Sequence, residues 1–236
     1  MAKGVIVIKN GGGMPGRIIV SDLGGKTGSI KGDRSTLPGS ELSFTYPSEL
    51  KEGVLVEGTI DAVNKVFKIT SILDANPTIV SGSLGGSTTI GTNKSVLVTA
   101  TGEITGNVTV SGGVLVVLGG AAKGNITVGA NSSIICKDNA TVTGGTFKIT
   151  GGGANTVVAI IKSTLNGMFD SSGLTYLSLE NTNHNGNIKS DSDKDVTVMG
   201  VTTGPGKDLT ISAVVTECYV TGNTIGGATT IDQKCL

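Results

Sequence analysis

Tryptophan is absent from the 236 residues, and Phe and Tyr together supply 4 and 3 side chains. A chain this poor in aromatics does not build helices around an aromatic core. Proline is scarce at 5 residues, and the 38 glycines follow no three-residue period, which excludes collagen. A single histidine, His184, excludes a multi-histidine zinc centre. Cys136, Cys218 and Cys235 are widely spaced, form no C-x-x-C pair and are odd in number, so the expectation is unreactive thiols rather than a disulfide framework. No apolar run approaches the roughly 20 residues needed to span a bilayer. The short run Val5-Ile6-Val7-Ile8 stops at Lys9-Asn10-Gly11, too early for a signal-peptide core, and reads as a first strand. Lys plus Arg and Asp plus Glu balance at 18 each, so no uniform basic face for duplex DNA is expected.

What the chain has in quantity is glycine, threonine and β-branched aliphatics, a composition of many short strands with tight turns. The first 75 residues carry 17 of the charges and the aromatics Phe44, Tyr46 and Phe67. Strand candidates there are 4–9, 17–21, 28–31, 41–46, 54–61 and 66–72, separated by Gly11-Gly12-Gly13, Gly24-Gly25, Pro38-Gly39 and Glu52-Gly53. Five or six short strands in so few residues predict a small β-barrel over residues 1–75. Asp74-Ala75-Asn76-Pro77 marks the junction.

From residue 78 to 236 the pattern changes to short β-branched segments between Gly and Asn. Gly86-Ser87-Thr88-Thr89-Ile90, Gly106-Asn107-Val108-Thr109-Val110, Gly124-Asn125-Ile126-Thr127-Val128 and Gly144-Gly145-Thr146-Phe147 repeat at offsets of 20, 18 and 20. A fainter copy stands at Gly186-Asn187-Ile188-Lys189. Such a repeat fits one turn of a three-sided parallel β-solenoid, about eight turns in all, with Gly and Asn at corners that need left-handed backbone. The fold class is therefore all-β, a small OB-like barrel followed by the solenoid. A β-sandwich or jelly roll is the alternative.

Three resemblances accompany this reading. Gly16-Arg17-Ile18-Ile19-Val20, Gly28-Ser29-Ile30, Glu41-Leu42-Ser43-Phe44 and Leu50-Lys51-Glu52-Gly53-Val54-Leu55-Val56-Glu57 together resemble the cold-shock pattern. That likeness implies an oligonucleotide-binding barrel stacking bases on aromatics, for which Phe44 and Tyr46 are the candidates. The Gly-Asn-[Val/Ile] repeats beside Glu103-Ile104 and Lys123 resemble bactofilins, which implies a cytoskeletal β-helix that polymerises end to end. The Thr- and Gly-rich composition also resembles β-helical fibre and decoration proteins of bacteriophages.

Catalytic, cofactor and metal chemistry finds little to stand on. Residues 11–16 match Gly-x-Gly-x-x-Gly, but Pro15 and the strand-like Ile18-Ile19-Val20 deny the helix that a dinucleotide loop must open, and a hairpin loop is expected. Asp191, Asp193 and Asp195 alternate as calcium ligands can, yet Val196 and Thr202 stand where a calcium loop has Gly and Glu, so a solvated turn is expected. His184 in Asn-Thr-Asn-His-Asn-Gly reads as a polar turn. Glu103, Asp138, Asp170 and Glu180 are the carboxyls a glycan-degrading β-helix enzyme would draw on. No catalytic residue, cofactor or metal is assigned. The expectation is a non-enzymatic structural protein of a bacteriophage virion, such as a capsid decoration, fibre or spike. It would form a homo-oligomer, with a trimer considered, and bind capsid proteins, with the barrel attached to the particle and the solenoid projecting. Nucleic acid and membrane are not the expected partners. The alternatives are a bactofilin-like polymer in the bacterial cytoplasm, single-stranded nucleic-acid binding through the barrel, and a glycan-degrading enzyme.

Overall fold

The computed structural model describes residues 2–8, 16–22, 37–44, 50–61, 66–149 and 155–235. The sequence candidate at 28–31 and Tyr46 lie outside these residues. Among the described residues five strands make up the N-terminal region: β1 (Ala2–Ile8), β2 (Gly16–Asp22), β3 (Glu41–Phe44), β4 (Leu55–Asp61) and β5 (Val66–Asp74). The strands β1, β2, β4 and β5 form an antiparallel sheet. Antiparallel pairing joins β3 to β1, and the single parallel pair Ser43↔Val66 joins it to β5, which closes the ring. Alternation along the strands sends Ile6, Ile18, Val20, Val56 and Phe67 into the ring. Val5, Val7, Ile19 and Leu55 point the other way, toward the second region.

Residues 78–231 form a parallel β-solenoid of about eight turns, built on three sheets. The first face runs from Thr78–Val80 through Ser95–Val98, Val114–Leu118, Ser133–Lys137, Val157–Ile161, Tyr176–Glu180 and Asp195–Met199 to Glu217–Thr221. The second face uses two-residue strands, such as Glu103–Ile104 and Asn183–His184. The third runs from Thr88–Ile90 to Thr229–Ile231. Turns are offset by as few as 18 residues (Val108↔Ile126) and as many as 24 (Ile134↔Val158). The longer turns absorb their extra residues at corners, because the strands stay in register. Inward positions stack like on like: Val98, Val117, Cys136, Ile160, Leu179 and Val198 form one column of the first face. Phe147 and Phe169 stack in a column of the third face, with ring centroids 5.3 Å apart. The one helix among the described residues is the short Gln233–Cys235, and no described helix is long and apolar enough to cross a membrane.

The corners correct one sequence expectation. Left-handed backbone occurs at all three edges, and between the second and third faces it is limited to the glycines Gly86, Gly167 and Gly206. Between the first and second faces it is carried by Gly119, Asp138, Lys162, Asn181, Gly200 and Gly222, each stacked on the last. Between the third and first faces it includes Asn93, Gly112, Asn131 and Asn155. The repeat glycines Gly106, Gly124, Gly144 and Gly186 sit at the remaining corner and do not have positive φ. Their reason is close approach: a Cβ on Gly106 would strike the Gly86 carbonyl, one on Gly124 the Gly106 carbonyl, one on Gly144 the Gly124 carbonyl and one on Gly186 the Gly167 carbonyl. The asparagines beside them act by hydrogen bonding. Asn107 Oδ1 accepts the Asn125 N–H at 3.0 Å, Asn125 Oδ1 the Thr146 N–H at 3.1 Å and Asn187 Oδ1 the Asp208 N–H at 3.1 Å.

The first face differs from the other two in being buried on both sides. Its outward residues Leu97, Val116, Ile135, Val157, Ala159 and Tyr176 pack with Val5, Val7, Ile19 and Leu55 of the N-terminal sheet. Covering both sides of a parallel sheet accounts for the unbroken apolar strings Val114-Leu-Val-Val-Leu118 and Val157-Val-Ala-Ile-Ile161. The N-terminal region therefore lies along the flank of the solenoid rather than ahead of it. Two polar locks hold it there. Asp74, only 3% exposed, accepts the Ser95 N–H at 2.9 Å, while Ser95 Oγ donates to Gly53 O at 3.0 Å. Lys137 Nζ lies 3.4 Å from Glu41 Oε1.

The glycine column generates a sharp contrast. Gly124→Ala and Gly186→Ala should each destabilise the protein by roughly 1–3 kcal/mol, because the new methyl meets backbone that cannot move without breaking register. Gly91→Ala places its Cβ in open space and should leave the thermal midpoint nearly unchanged. Thermal denaturation of the three variants checks this; equal midpoints would contradict the stacking of these corners.

Candidate functional site

The surface that the solenoid presents is regular. On the third face the outward column reads Thr89, Thr109, Thr127, Lys148, Asp170, Lys189, Thr210 and Thr230. Asp170 thus stands in register between Lys148 and Lys189, an arrangement of opposite charges across strands. On the second face Glu103 pairs with Lys123 one turn on. The Lys123 hydrogen bond, then one from Ser83, holds the Glu103 carboxyl below its ordinary range.

The carboxylates singled out from the sequence are spread over this surface. Glu103 is on the second face and Asp170 on the third. Asp138 occupies a left-handed corner, and Glu180 closes a first-face strand, where Ser178 Oγ donates to it at 2.5 Å. They are divided among the second face, the third face and the corner between the first and second faces. Among the described residues no group of three His, Cys, Asp or Glu side chains is placed to hold a metal ion. Phe44 ends β3, its backbone paired with Ala2. Gly16 opens the strand β2 directly, and residues 11–15 fall outside the described residues.

Two residues expected in solvated turns are instead interior. His184 is 1% exposed and points into the lumen from the second face, between Leu165 and Thr203 in register. Neither ring nitrogen has a hydrogen-bond partner. Burial drives its pKa down to about 4, against a weaker opposite pull from backbone groups of Asn187 and Gly167. Asp193 is fully buried at the corner that follows the third face. Its Oδ2 accepts Ser171 Oγ and Ser190 Oγ, both at 2.6 Å, and its Oδ1 accepts the Leu174 N–H at 2.7 Å. Burial raises its pKa, although these bonds oppose the rise. Asp191, by contrast, is turned toward Ser212 Oγ at 3.0 Å, so the acidic triplet does not converge. The sequence carried a faint signal for this: Ser171 and Ser190 stand in the column where earlier turns have Ile90, Val110 and Val128.

The cysteines also depart from expectation. Cys218 and Cys235 form a disulfide with Cα atoms 4.6 Å apart, across 17 residues of sequence. Only Cys136 is free; burial pushes its thiol pKa up to about 12, which keeps it protonated and inert.

No protein-family model matches the chain, nor does any curated protein or solved structure.

The histidine sets a pH dependence whose sign follows from linkage. Its folded pKa lies below the ordinary 6.5, so the unfolded chain takes up the proton first as pH falls. Stability is fully present above about 6.5 and is lost down to about 4, a loss of about 3 kcal/mol for a shift of that size. His184→Leu, matching Leu165 in the same column, should remove this sensitivity and raise stability at neutral pH. The Asp193 contribution runs oppositely and is common to both proteins. Denaturant unfolding at pH 7 and pH 4.5 checks the difference between them; parallel pH profiles would contradict an unpartnered imidazole in the lumen.

Proposed function

We propose that this chain is a non-enzymatic structural protein that self-associates within a larger particle, of the kind met as a capsid decoration, fibre or spike of a bacteriophage virion. The observation that carries the reading is the open edge of the first turn. Among the described residues its strands each pair with the second turn alone. Thr88 donates its N–H to Asn107, and Ile90 accepts from Ser111, so Thr89 between them turns its backbone groups to the unpaired side. Val80 O, and Gly82 O with Leu84 O, are likewise engaged with the second turn, which leaves Ile79 and Ser83 facing the same way. Ile79 is 44% exposed there. A row of unpaired strand groups beside an apolar side chain is a template for another strand, and natural folds that keep one generally cover it with a partner. Regular Thr, Ser and Asn on the second and third faces support a durable exposed surface, and the N-terminal sheet supports a broadened flank for lateral contacts. Because the N-terminal sheet lies on the flank of the first face, a barrel that attaches to the particle would bring the solenoid's side with it.

The same open edge favours a second reading, a bactofilin-like filament. The two readings differ in what purified protein does. Sedimentation velocity and negative-stain microscopy should show a discrete oligomer under the virion reading and unbounded filaments under the second. Thr89→Pro deletes one edge donor and sets a ring where a partner strand would lie. It should weaken association about tenfold or more while the thermal midpoint of the monomer stays close to wild type. A wild-type protein that remains monomeric at every concentration would overturn both readings.

A further inference from the structure

The C-terminal end of the solenoid is closed differently from its beginning. The strand Glu217–Thr221 is the eighth and last of the first face, and the helix Gln233–Cys235 folds back against it. Cys218 lies in that strand and Cys235 in that helix, so the bridge fastens the end of the chain to the last turn. Little else holds this turn by burial. In register, Val196 and Val198 of the seventh turn are buried, whereas Cys218 and Val220 above them are only half-buried. Tyr219 between them is 51% exposed, and Val215 just before the strand is 53% exposed. No residue from 215 to 235 is buried. Its strands Glu217–Thr221 and Thr229–Ile231 are held to the seventh turn by the two parallel ladders, with part-buried or exposed side-chain ties beside them. Asp232 Oδ2 accepts the Val214 N–H at 3.0 Å, and Lys234 Nζ donates to Val214 O at 2.7 Å and Val215 O at 3.0 Å. Asn223 reaches back to the seventh turn, accepting from Val201 N at 2.8 Å and donating to Val198 O at 3.0 Å. A terminal turn that buries no residue opens locally at low cost even with its ladder in place. The covalent link is therefore the one constraint on the segment that local opening of the ladders does not release.

We propose that the Cys218–Cys235 bridge is a redox latch on the eighth turn: a dithiol reductant opens it, residues 217–235 come loose, and the seventh turn becomes the end of the stack. A thiolate of the reductant attacks one cysteine sulfur and breaks the S–S bond, leaving a mixed disulfide. The second reductant thiolate displaces the remaining cysteine sulfur, so the reductant closes as a disulfide and two electrons and two protons end on Cys218 and Cys235. Both cysteines are half-buried at the end of the stack and within reach of such a reagent. Cys136, the third cysteine, is sealed in the column of the fourth turn and takes no part in the exchange. Release uncovers Val196, Val198, Leu209 and Ile211, which the last turn now shields. The inference does not depend on the assembly reading, since it concerns the other end of the stack and a property of one chain.

Amide hydrogen exchange of the full chain, oxidised and in the presence of dithiothreitol, tests it. Reduction should speed exchange across 217–231 by tenfold or more, while residues 95–191 keep their rates. The double variant Cys218→Ser plus Cys235→Ser should show the fast rates at once and no response to dithiothreitol. Three results would overturn the latch: less than twofold change on reduction, equal acceleration throughout the solenoid, or a variant that still responds to the reductant.

Discussion

Backbone hydrogen bonds between one turn and the next are the constraint on which the rest of this structure depends. They run along three parallel ladders, and they hold only if each turn lies in register over the last. Every other sequence feature of residues 78–231 answers to that condition. Side chains of similar type stack in columns because a column repeats its position. One corner closes so tightly that the chain passes over the carbonyl of the turn before, and only glycine fits. The asparagines next to it return the side-chain amide to the same ladder by accepting the N–H of the following turn. Left-handed backbone recurs at all three corners; at the other two it is held by Gly and Asn, which reach it at least cost, and also by Lys162, Ser192 and Ala213. A non-Gly residue held there stores local strain, and the flanking ladders keep it in place.

The stack is not uniform along its length. Turns two to six carry the N-terminal sheet on the first face, so their first-face strands are apolar on both sides. The middle of the lumen is aliphatic, with Phe147 on Phe169 filling its width. Farther on the interior becomes polar, through Ser171, Ser190, Asp193, His184 and Thr203. Asp193 is satisfied by three donors, whereas His184 has none. A fully bonded carboxylate fixes geometry, and an unbonded imidazole costs stability, so the two buried groups of neighbouring turns pull in opposite senses. The eighth turn then ends the core without burying a residue, and a disulfide takes over the work that packing does elsewhere.

Much of this could be read in advance. The offsets between Gly86, Gly106, Gly124 and Gly144 gave away the solenoid and its three sides, because close stacking forces glycine at one fixed place in each turn. Strands at Ala2–Ile8, Gly16–Asp22, Leu55–Asp61 and Val66–Asp74 followed from alternation and turn residues. The reason for Gly106, Gly124, Gly144 and Gly186 was misread, whereas Gly86 does have positive φ; crowding and positive φ leave the same letter in the sequence. Beyond residue 150 the repeat became hard to see because turns lengthen by corner insertions that shift the offset. His184 and Asp193 looked like turn residues because their neighbours Asn183, Asn185, Ser192 and Lys194 are polar. Their burial depends on register with Leu165 and with Ser171, which only the folded stack supplies. The flank contact was legible in principle, as the two apolar strings Val114–Leu118 and Val157–Ile161 unlike the alternating Val108-Thr109-Val110, but such strings equally mark an ordinary buried strand. The bridge was invisible because 17 residues of chain return Cys235 to Cys218 through a whole turn.

Distances along one column test the central claim most directly. Spin labels placed in pairs at Thr89 with Lys148, Lys189 or Thr230 occupy outward positions three, five and seven turns apart on the third face. With turns stacked at about 4.8 Å, the backbone separations should rise in equal steps, at roughly 14, 24 and 34 Å. Pulsed electron resonance reads such distances in solution. A linear rise is the result the stacked turns require. Separations that level off or reverse along the series would mean strands folded back on one another, and the solenoid account would fall.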